Sequence, residues 1–415
     1  MFHEAKAKRK SYRIKEEASE TKMTQHENKG GSPPFFANST NLTERFRLFL
    51  KENIRFFYPA LIAVSIKLLC SIFFYYFLNF SSTHPPWVSI WDKDLIGDPS
   101  VRWPFLYHGW DSGWYFGIVF RGYSTQAYAF FPGYPISIYV LNTVTTNVLA
   151  SAALCSLILG VAWIPLFQAI AENYTTRETA SRIALLAAFF PYVFLFTTVA
   201  YSESLFLFAT VASWYSYQKD RIFKASSLAA VATITRMVGI IIVLPMFLDL
   251  FHRRERKRLL YTLIPPIALF AWLSYCFANT GDWLAPITAQ NKYWAMYSLP
   301  KWLLNFASNQ RMIMFASELS GVVLIILTST LIYYGRKVDW RLTIYSVTSF
   351  LVILCFASMW SISRYLSFIF PIWITLGTRT LQGKWRNIST AALCAFFFCI
   401  AFFLWYEFLL GMWVA

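Results

Sequence analysis

The sequence predicts an all-α protein that crosses a membrane many times, and three observations carry that prediction. Of its 415 residues, 57% are apolar and 20% aromatic, while only 14% are charged; a soluble domain is nearer half apolar and a quarter charged. Apolar runs long enough to cross about 30 Å of hydrocarbon recur along the chain. Basic residues gather in short runs between them, the pattern of loops on the cytoplasmic side. These features exclude a soluble enzyme, a disordered chain and a coiled-coil or collagen-like rod. The net charge of +16 does not point to nucleic acid, because no basic stripe interleaved with aromatics lies on a polar segment. The six cysteines lie in or beside apolar runs without metal-ligand spacing and read as buried small hydrophobes.

Residues 1–50 carry ten Lys/Arg and six Asp/Glu and too little apolar surface to fold alone, so they read as a disordered basic cytoplasmic tail. The first span runs from Tyr58 to Phe80. Residues 81–147 form the first exoplasmic loop. It ends in Phe131–Val144, which Pro132, Gly133 and Pro135 mark as a helix lying at the interface. Spans follow at 148–171, 183–201, 203–217, 225–250, 259–279, 313–334, 342–359, 365–380 and 389–412, with a second exoplasmic loop at 280–312.

The segment 225–250 decides the topology. A single crossing would place the strongly basic run 252–258, and two later basic loops, on the exoplasmic side, against the Lys/Arg bias. The bias is restored if the segment enters and leaves on one side as two half-helices, 225–235 and 238–250. Their turn falls at Arg236-Met-Val-Gly239, with Gly239 easing the bend. Such a turn survives only against protein or a watery cavity. About eleven membrane segments result, counting both half-helices, with the N-terminus cytoplasmic.

With that topology the exoplasmic side collects the unusual polar residues. Asp111, between Trp110 and Trp114-Tyr115, is placed to accept a proton from an attacking hydroxyl or, equally, to cap a helix starting at Ser112. Arg236 and Arg364 suit an anion, since a guanidinium stays charged when buried and grips phosphate with two donors; the alternative is a structural pair with Glu203. Glu203 fits a sugar contact, an orienting role toward Asp111, or a helix N-terminal acid. Gln290, Lys292 and Trp294 suit a sugar or lipid headgroup, or an interfacial belt. Lys67 either faces the cavity or snorkels, and His108 either supports the Asp111 loop or is structural. No Gly-rich phosphate loop, zinc spacing or soluble βαβ unit is present, so a sugar donor would be a membrane lipid rather than a nucleotide. Nothing calls for a metal or a cofactor.

Trp110-Asp-Ser-Gly-Trp-Tyr115, Arg121-Gly-Tyr123, Ala129-Phe-Phe-Pro-Gly-Tyr-Pro135, Tyr201-Ser-Glu-Ser204, Thr235-Arg-Met-Val-Gly239 and Ser361-Ile-Ser-Arg-Tyr365 with Phe370-Pro371 together resemble a known family. It is the PIG-V type (GPI mannosyltransferase 2) family with its prokaryotic relatives, and the motifs span about two-thirds of the chain. The resemblance implies a GT-C-like glycosyltransferase fold over 51–415. It implies a polyprenyl- or dolichyl-phosphate sugar donor, typically mannose, and a glycolipid or glycan acceptor on the exoplasmic face. The membrane would be that of a prokaryotic cell or of the ER. By carry-over Asp111 is the catalytic base and Arg236 and Arg364 meet the lipid phosphate. Trp110, Trp114, Tyr115, Glu203, Gln290, Lys292, Trp294 and Tyr365 would bind substrate or support the site. The chain departs from the pattern in its long charged tail and in lacking, over Met237-Val238-Gly239, the Asn that often follows the intramembrane Arg-x motif. A transporter or flippase of lipid-linked sugars would show paired broken helices in matching halves, and only one broken segment is evident. A non-catalytic subunit of a glycosylation complex would tolerate loss of Asp111.

Overall fold

The computed structural model describes residues 39–77, 103–293, 299–301, 303, 316–381 and 385–414, with side chains from Phe56 onward. Residues 1–55 form one unit and 56–415 a second. Among the described residues every regular element is helical. Helix α1 (Ser39–Phe77) begins within the stretch read as tail. The rest of that tail, and the loop acids Asp92, Asp94 and Asp98, lie outside the described residues.

Among the described residues four short elements precede the first long hairpin: a 3-10 turn (Trp103–Tyr107), α2 (Ser112–Arg121), a second 3-10 turn (Ala127–Ala129) and α3 (Gly133–Thr145). α4 (Val148–Ala171) has the expected bounds because Asn147 caps it, accepting the Ala150 N–H. The expected span 183–201 is instead two helices, α5 (Arg177–Phe189) and α6 (Pro191–Phe196). Pro191 has no N–H to continue a helix and drives Phe190 to a ψ of 132°.

α7 (Glu203–Gln218) packs on α4, and α8 (Ile222–Thr235) packs on α7. The chain then breaks where the charge pattern requires it, at Arg236, which is extended with φ −153° and ψ 136°. A 3-10 turn (Met237–Ile242) leads into α9 (Val243–His252). Gly239 serves close approach rather than the bend itself: a Cβ there would sit 2.3 Å from the Ala232 backbone.

α10 (Arg256–Leu259) continues through a 3-10 turn into α11 (Ile264–Thr280), followed by α12 (Ala285–Tyr293), α13 (Ala316–Gly335) and α14 (Trp340–Phe356). The span expected at 365–380 is again divided, into α15 (Ile362–Ser367) and α16 (Pro371–Thr380). Pro371 stands at the start of α16, where its missing N–H costs nothing. α17 (Arg386–Leu409) closes the described chain.

Five described helices are long and apolar enough to cross a bilayer: Phe56–Phe77, Val148–Ala171, Arg256–Thr280, Glu318–Gly335 and Arg386–Leu409. This is the build of a helical membrane protein. α8, the Met237–His252 stretch and α14 are apolar but shorter. Trp163, Phe167, Phe194 and Trp214 are fully buried between them. Gly160 lets α4 touch the chain just beyond α6, since a Cβ there would lie 1.9 Å from the Thr197 carbonyl oxygen. Residues 197–202, which form no helix, are thereby gripped at their first residue.

Candidate active site

The segment carrying Asp111 is fastened almost residue by residue. The Leu106 carbonyl accepts from Trp405 Nε1 at 3.1 Å, and the Tyr107 carbonyl accepts from the Ala200 N–H at 2.7 Å. His108 is buried, with Nε2 3.0 Å from the Leu149 carbonyl and its ring edge-on to Phe116. Burial pushes its pKa down to about 3, so it is a neutral prop for the loop. Trp110 is left-handed at φ 51°, a conformation a bulky residue holds only when its surroundings enforce it. Its Nε1 donates to the Met412 carbonyl at 3.1 Å, and its ring meets Trp413 edge-on.

Helix α2 starts at Ser112 as expected, but the Asp111 side chain makes no capping hydrogen bond. Instead Oδ2 accepts from Arg364 Nη1 at 3.4 Å, while the Asp111 N–H donates to the Tyr201 hydroxyl at 3.2 Å. The Asp111 carboxylate is thus paired with Arg364 and does not cap α2.

Glu203 sits at the first position of α7 and joins the two arginines. Its Oε1 lies 2.6 Å from Arg236 Nη1 and 3.2 Å from Arg364 Nε; Oε2 has no hydrogen-bond partner among the described residues. Arg236 Nη1 also donates to Ser202 Oγ at 3.2 Å, and Tyr115 OH donates to the same oxygen at 2.9 Å. Arg364 Nη2 donates to the Tyr365 hydroxyl at 3.0 Å, and the Tyr365 ring faces both guanidinium groups at 4.6 and 4.9 Å. Two carboxylates and two guanidinium groups make a cluster of zero formal charge. Burial pushes the Asp111 carboxyl above its ordinary range; Arg364 and Arg236 oppose that shift and Glu203 adds to it.

The two arginines are not equivalent. Arg364 has a side chain 4% exposed; Nη1 donates to Asp111 and Nη2 to Tyr365, while Nε lies 3.2 Å from Glu203 Oε1 as an ion pair without hydrogen-bond geometry. Arg236 is 17% exposed and commits only Nη1 among the described residues, which leaves Nε and Nη2 for a ligand.

The cluster lines a cavity of about 1350 Å³ together with Trp110, Trp114, Gln290 and the chain end Leu410–Trp413. That volume exceeds the roughly 300–1,000 Å³ of a single small-molecule site. One wall is apolar apart from Ser349: Tyr345, Ser349, Val352 and Phe356, spaced as one face of α14, line it with Phe368 and Ile369. Trp114 stacks on Phe130, a cavity residue that sequence reasoning left unassigned. α12 turns Pro286, Gln290 and Tyr293 toward the cavity. Lys292 does not belong to this wall: it is exposed, its Nζ lying 5.2 Å from the Tyr293 ring centroid, because helical periodicity puts it on another face. Trp294 lies outside the described residues. Lys67 neither reaches the cavity nor snorkels; it is buried. Tyr201, Ser202 and the Met412-Trp413 pair were not singled out beforehand, although Tyr201 and Ser202 stand beside Glu203 in its motif. Among the described residues no three His, Cys, Asp or Glu side chains converge as metal ligands.

Comparison with protein-family models finds no match, and comparison with curated proteins finds none either. Among solved structures, the Archaeoglobus fulgidus oligosaccharyltransferase in its apo form aligns with 13% identity and a TM-score of 0.44, over 86% of this chain and 56% of that one. The same protein in complex with Zn and sulfate aligns with 14% identity and a TM-score of 0.40, over 84% and 53%. The chain spans about half the length of those structures.

Proposed function

We propose that this protein is an integral membrane glycosyltransferase of GT-C-like build. It transfers a hexose, mannose by the family resemblance, from a polyprenyl or dolichyl phosphate to a hydroxyl of a glycolipid or glycan on the exoplasmic face. The observation that carries the reading is the meeting of Asp111 with Arg364 and, through Glu203, with Arg236 on the wall of one large cavity. Four chain segments far apart in sequence supply these groups, all beside breaks in helices.

Asp111 takes the proton of the acceptor hydroxyl, whose oxygen attacks the anomeric carbon from the face opposite the phosphate. The bond from that carbon to the phosphate oxygen breaks, its electron pair leaves on the phosphate, and the sugar is inverted. Nε and Nη2 of Arg236 hold the charge that develops there. Arg364 fixes the orientation of Asp111 rather than gripping the donor, a division of labour that sequence reasoning did not make. The apolar face of α14 accommodates the isoprenoid, and the cavity volume leaves room for donor and acceptor together.

The test uses the purified protein in lipid nanodiscs with radiolabelled polyprenyl-phosphate-mannose and a membrane glycolipid extract. Transfer of label is expected from the parent protein and not from Asp111→Asn. Full transfer by that variant removes Asp111 from the chemistry.

A further inference from the structure

Lys67 carries its amine in the middle of the first apolar span, 1% exposed, with no carboxylate in ion-pair reach among the described residues. Its Nζ donates to the Thr197 carbonyl at 2.9 Å and to Thr197 Oγ1 at 2.8 Å, and lies 5.4 Å from the centre of the Phe194 ring. Thr197 directly follows the last residue of α6. Its hydroxyl in turn donates to the Val193 carbonyl at 2.6 Å. An ionisable side chain at this depth is costly and is seldom there for packing alone.

The polar contacts around Lys67 close into a ring. Its carbonyl accepts from Ser71 Oγ at 2.7 Å, and Ser71 Oγ accepts from the Tyr107 hydroxyl at 2.6 Å. The Tyr107 carbonyl accepts the Ala200 N–H, and Ala200 lies three residues beyond Thr197. One turn of α1 therefore holds two stretches of non-helical chain at once. Four residues past Tyr107 stands Asp111. Four to six residues past Thr197 stand Tyr201, which accepts the Asp111 N–H, and Glu203, which joins both arginines.

We infer that Lys67 is a positioning residue for the proposed transfer: it fixes the Thr197–Ser202 turn against the Tyr107–Asp111 loop, and so sets the register between base and guanidinium groups. The inference rests on the proposed function for its kinetic consequence and not for its structural one. Lys67→Met keeps length and apolar volume while removing the charge and the donors. Loss of the clamp lets Tyr201 and Glu203 drift, and Arg364 with them. The groups facing Asp111 are Arg364, Arg236, Glu203, Tyr201 and Tyr115. Of these, the loss of Arg364 raises the Asp111 pKa, so the acid limb of the kcat profile moves to higher pH.

The experiment compares the parent protein and Lys67→Met in nanodiscs by hydrogen exchange, and by transfer kinetics with polyprenyl-phosphate-mannose. Expected are faster exchange in peptides covering 104–115 and 197–205, a kcat at least tenfold lower with donor KM within about threefold, and the shifted acid limb. Thr197→Val, which removes one of the two acceptors, should move the same readouts less and serves where Lys67→Met does not fold. Lys67→Arg should recover part of the loss. Unchanged exchange in both peptides overturns the inference, and so does faster exchange with unaltered kcat and limb. Asp111→Asn run in parallel separates the two readings: if it transfers sugar normally, the base assignment fails while the exchange data still decide the clamp.

Discussion

Glu203→Gln isolates the charge of the residue that holds the two arginines together. The carbonyl oxygen of the new amide takes the place of Oε1 and its nitrogen the place of Oε2, which has no hydrogen-bond partner to lose among the described residues. Shape is kept and one negative charge is removed, so the buried cluster passes from zero to +1. One charge-assisted hydrogen bond to Arg236 and one ion pair to Arg364 weaken together. With all three side chains at most 17% exposed, the unliganded protein should lose about 2–4 kcal/mol, somewhat less than the roughly 3–5 kcal/mol of breaking a buried pair outright. The donor phosphate gains what the protein loses. A like charge removed about 6 Å away at an effective dielectric near 20 is worth about 3 kcal/mol, and solvent in the cavity reduces that to about tenfold or somewhat more in affinity. Thermal unfolding in nanodiscs, with and without undecaprenyl phosphate, reads both effects. The variant should melt several degrees lower alone and show a larger ligand-induced rise than the parent. A smaller rise, or none, refutes the assignment of Arg236 and its neighbours to the donor phosphate.

Arg236→Lys should raise the donor KM by about ten- to a hundredfold, since an ammonium cannot satisfy Glu203, Ser202 and a phosphate from one planar fork; steady-state kinetics against donor concentration check it. In a pH profile of kcat/KM, activity requires ionised Asp111 and must fall as pH drops through its pKa. Because burial raises that pKa, the acid limb should lie above the ordinary carboxylate value of about 3.9. Lys292→Ala, off the cavity wall, should leave donor and acceptor KM unchanged in the same assay.

The membrane character and the individual motifs were legible in the sequence because each rests on a local cost. Arg236 and Arg364 are too expensive in lipid to be incidental, and the Lys/Arg bias left only one place to break 225–250. The breaks at Pro191 and Pro371 were less legible, because the apolar composition continues across both and hides the missing N–H. What joins the motifs was not legible at all. That Glu203 belongs to both arginines, that Arg364 rather than a helix end claims Asp111, and that Met412 and Trp413 hold Trp110 are facts of long-range packing. No spacing within 110–115 or 201–204 encodes them. The same holds for Lys67, whose acceptors are the carbonyl and hydroxyl of a residue 130 positions away.

The strained Trp110 next to Asp111 draws its support from Met412 and Trp413, and Asp111 draws its counter-charge from Arg364. During synthesis the carboxylate therefore emerges some two hundred and fifty residues ahead of the cation that steadies it. Until α15 and the end of α17 dock, an ionised Asp111 has no guanidinium of its own segment beside it, and its neutral form is favoured by desolvation. Charging of Asp111 thus coincides with completion of the chain, and under the proposed function a half-made protein would lack its base.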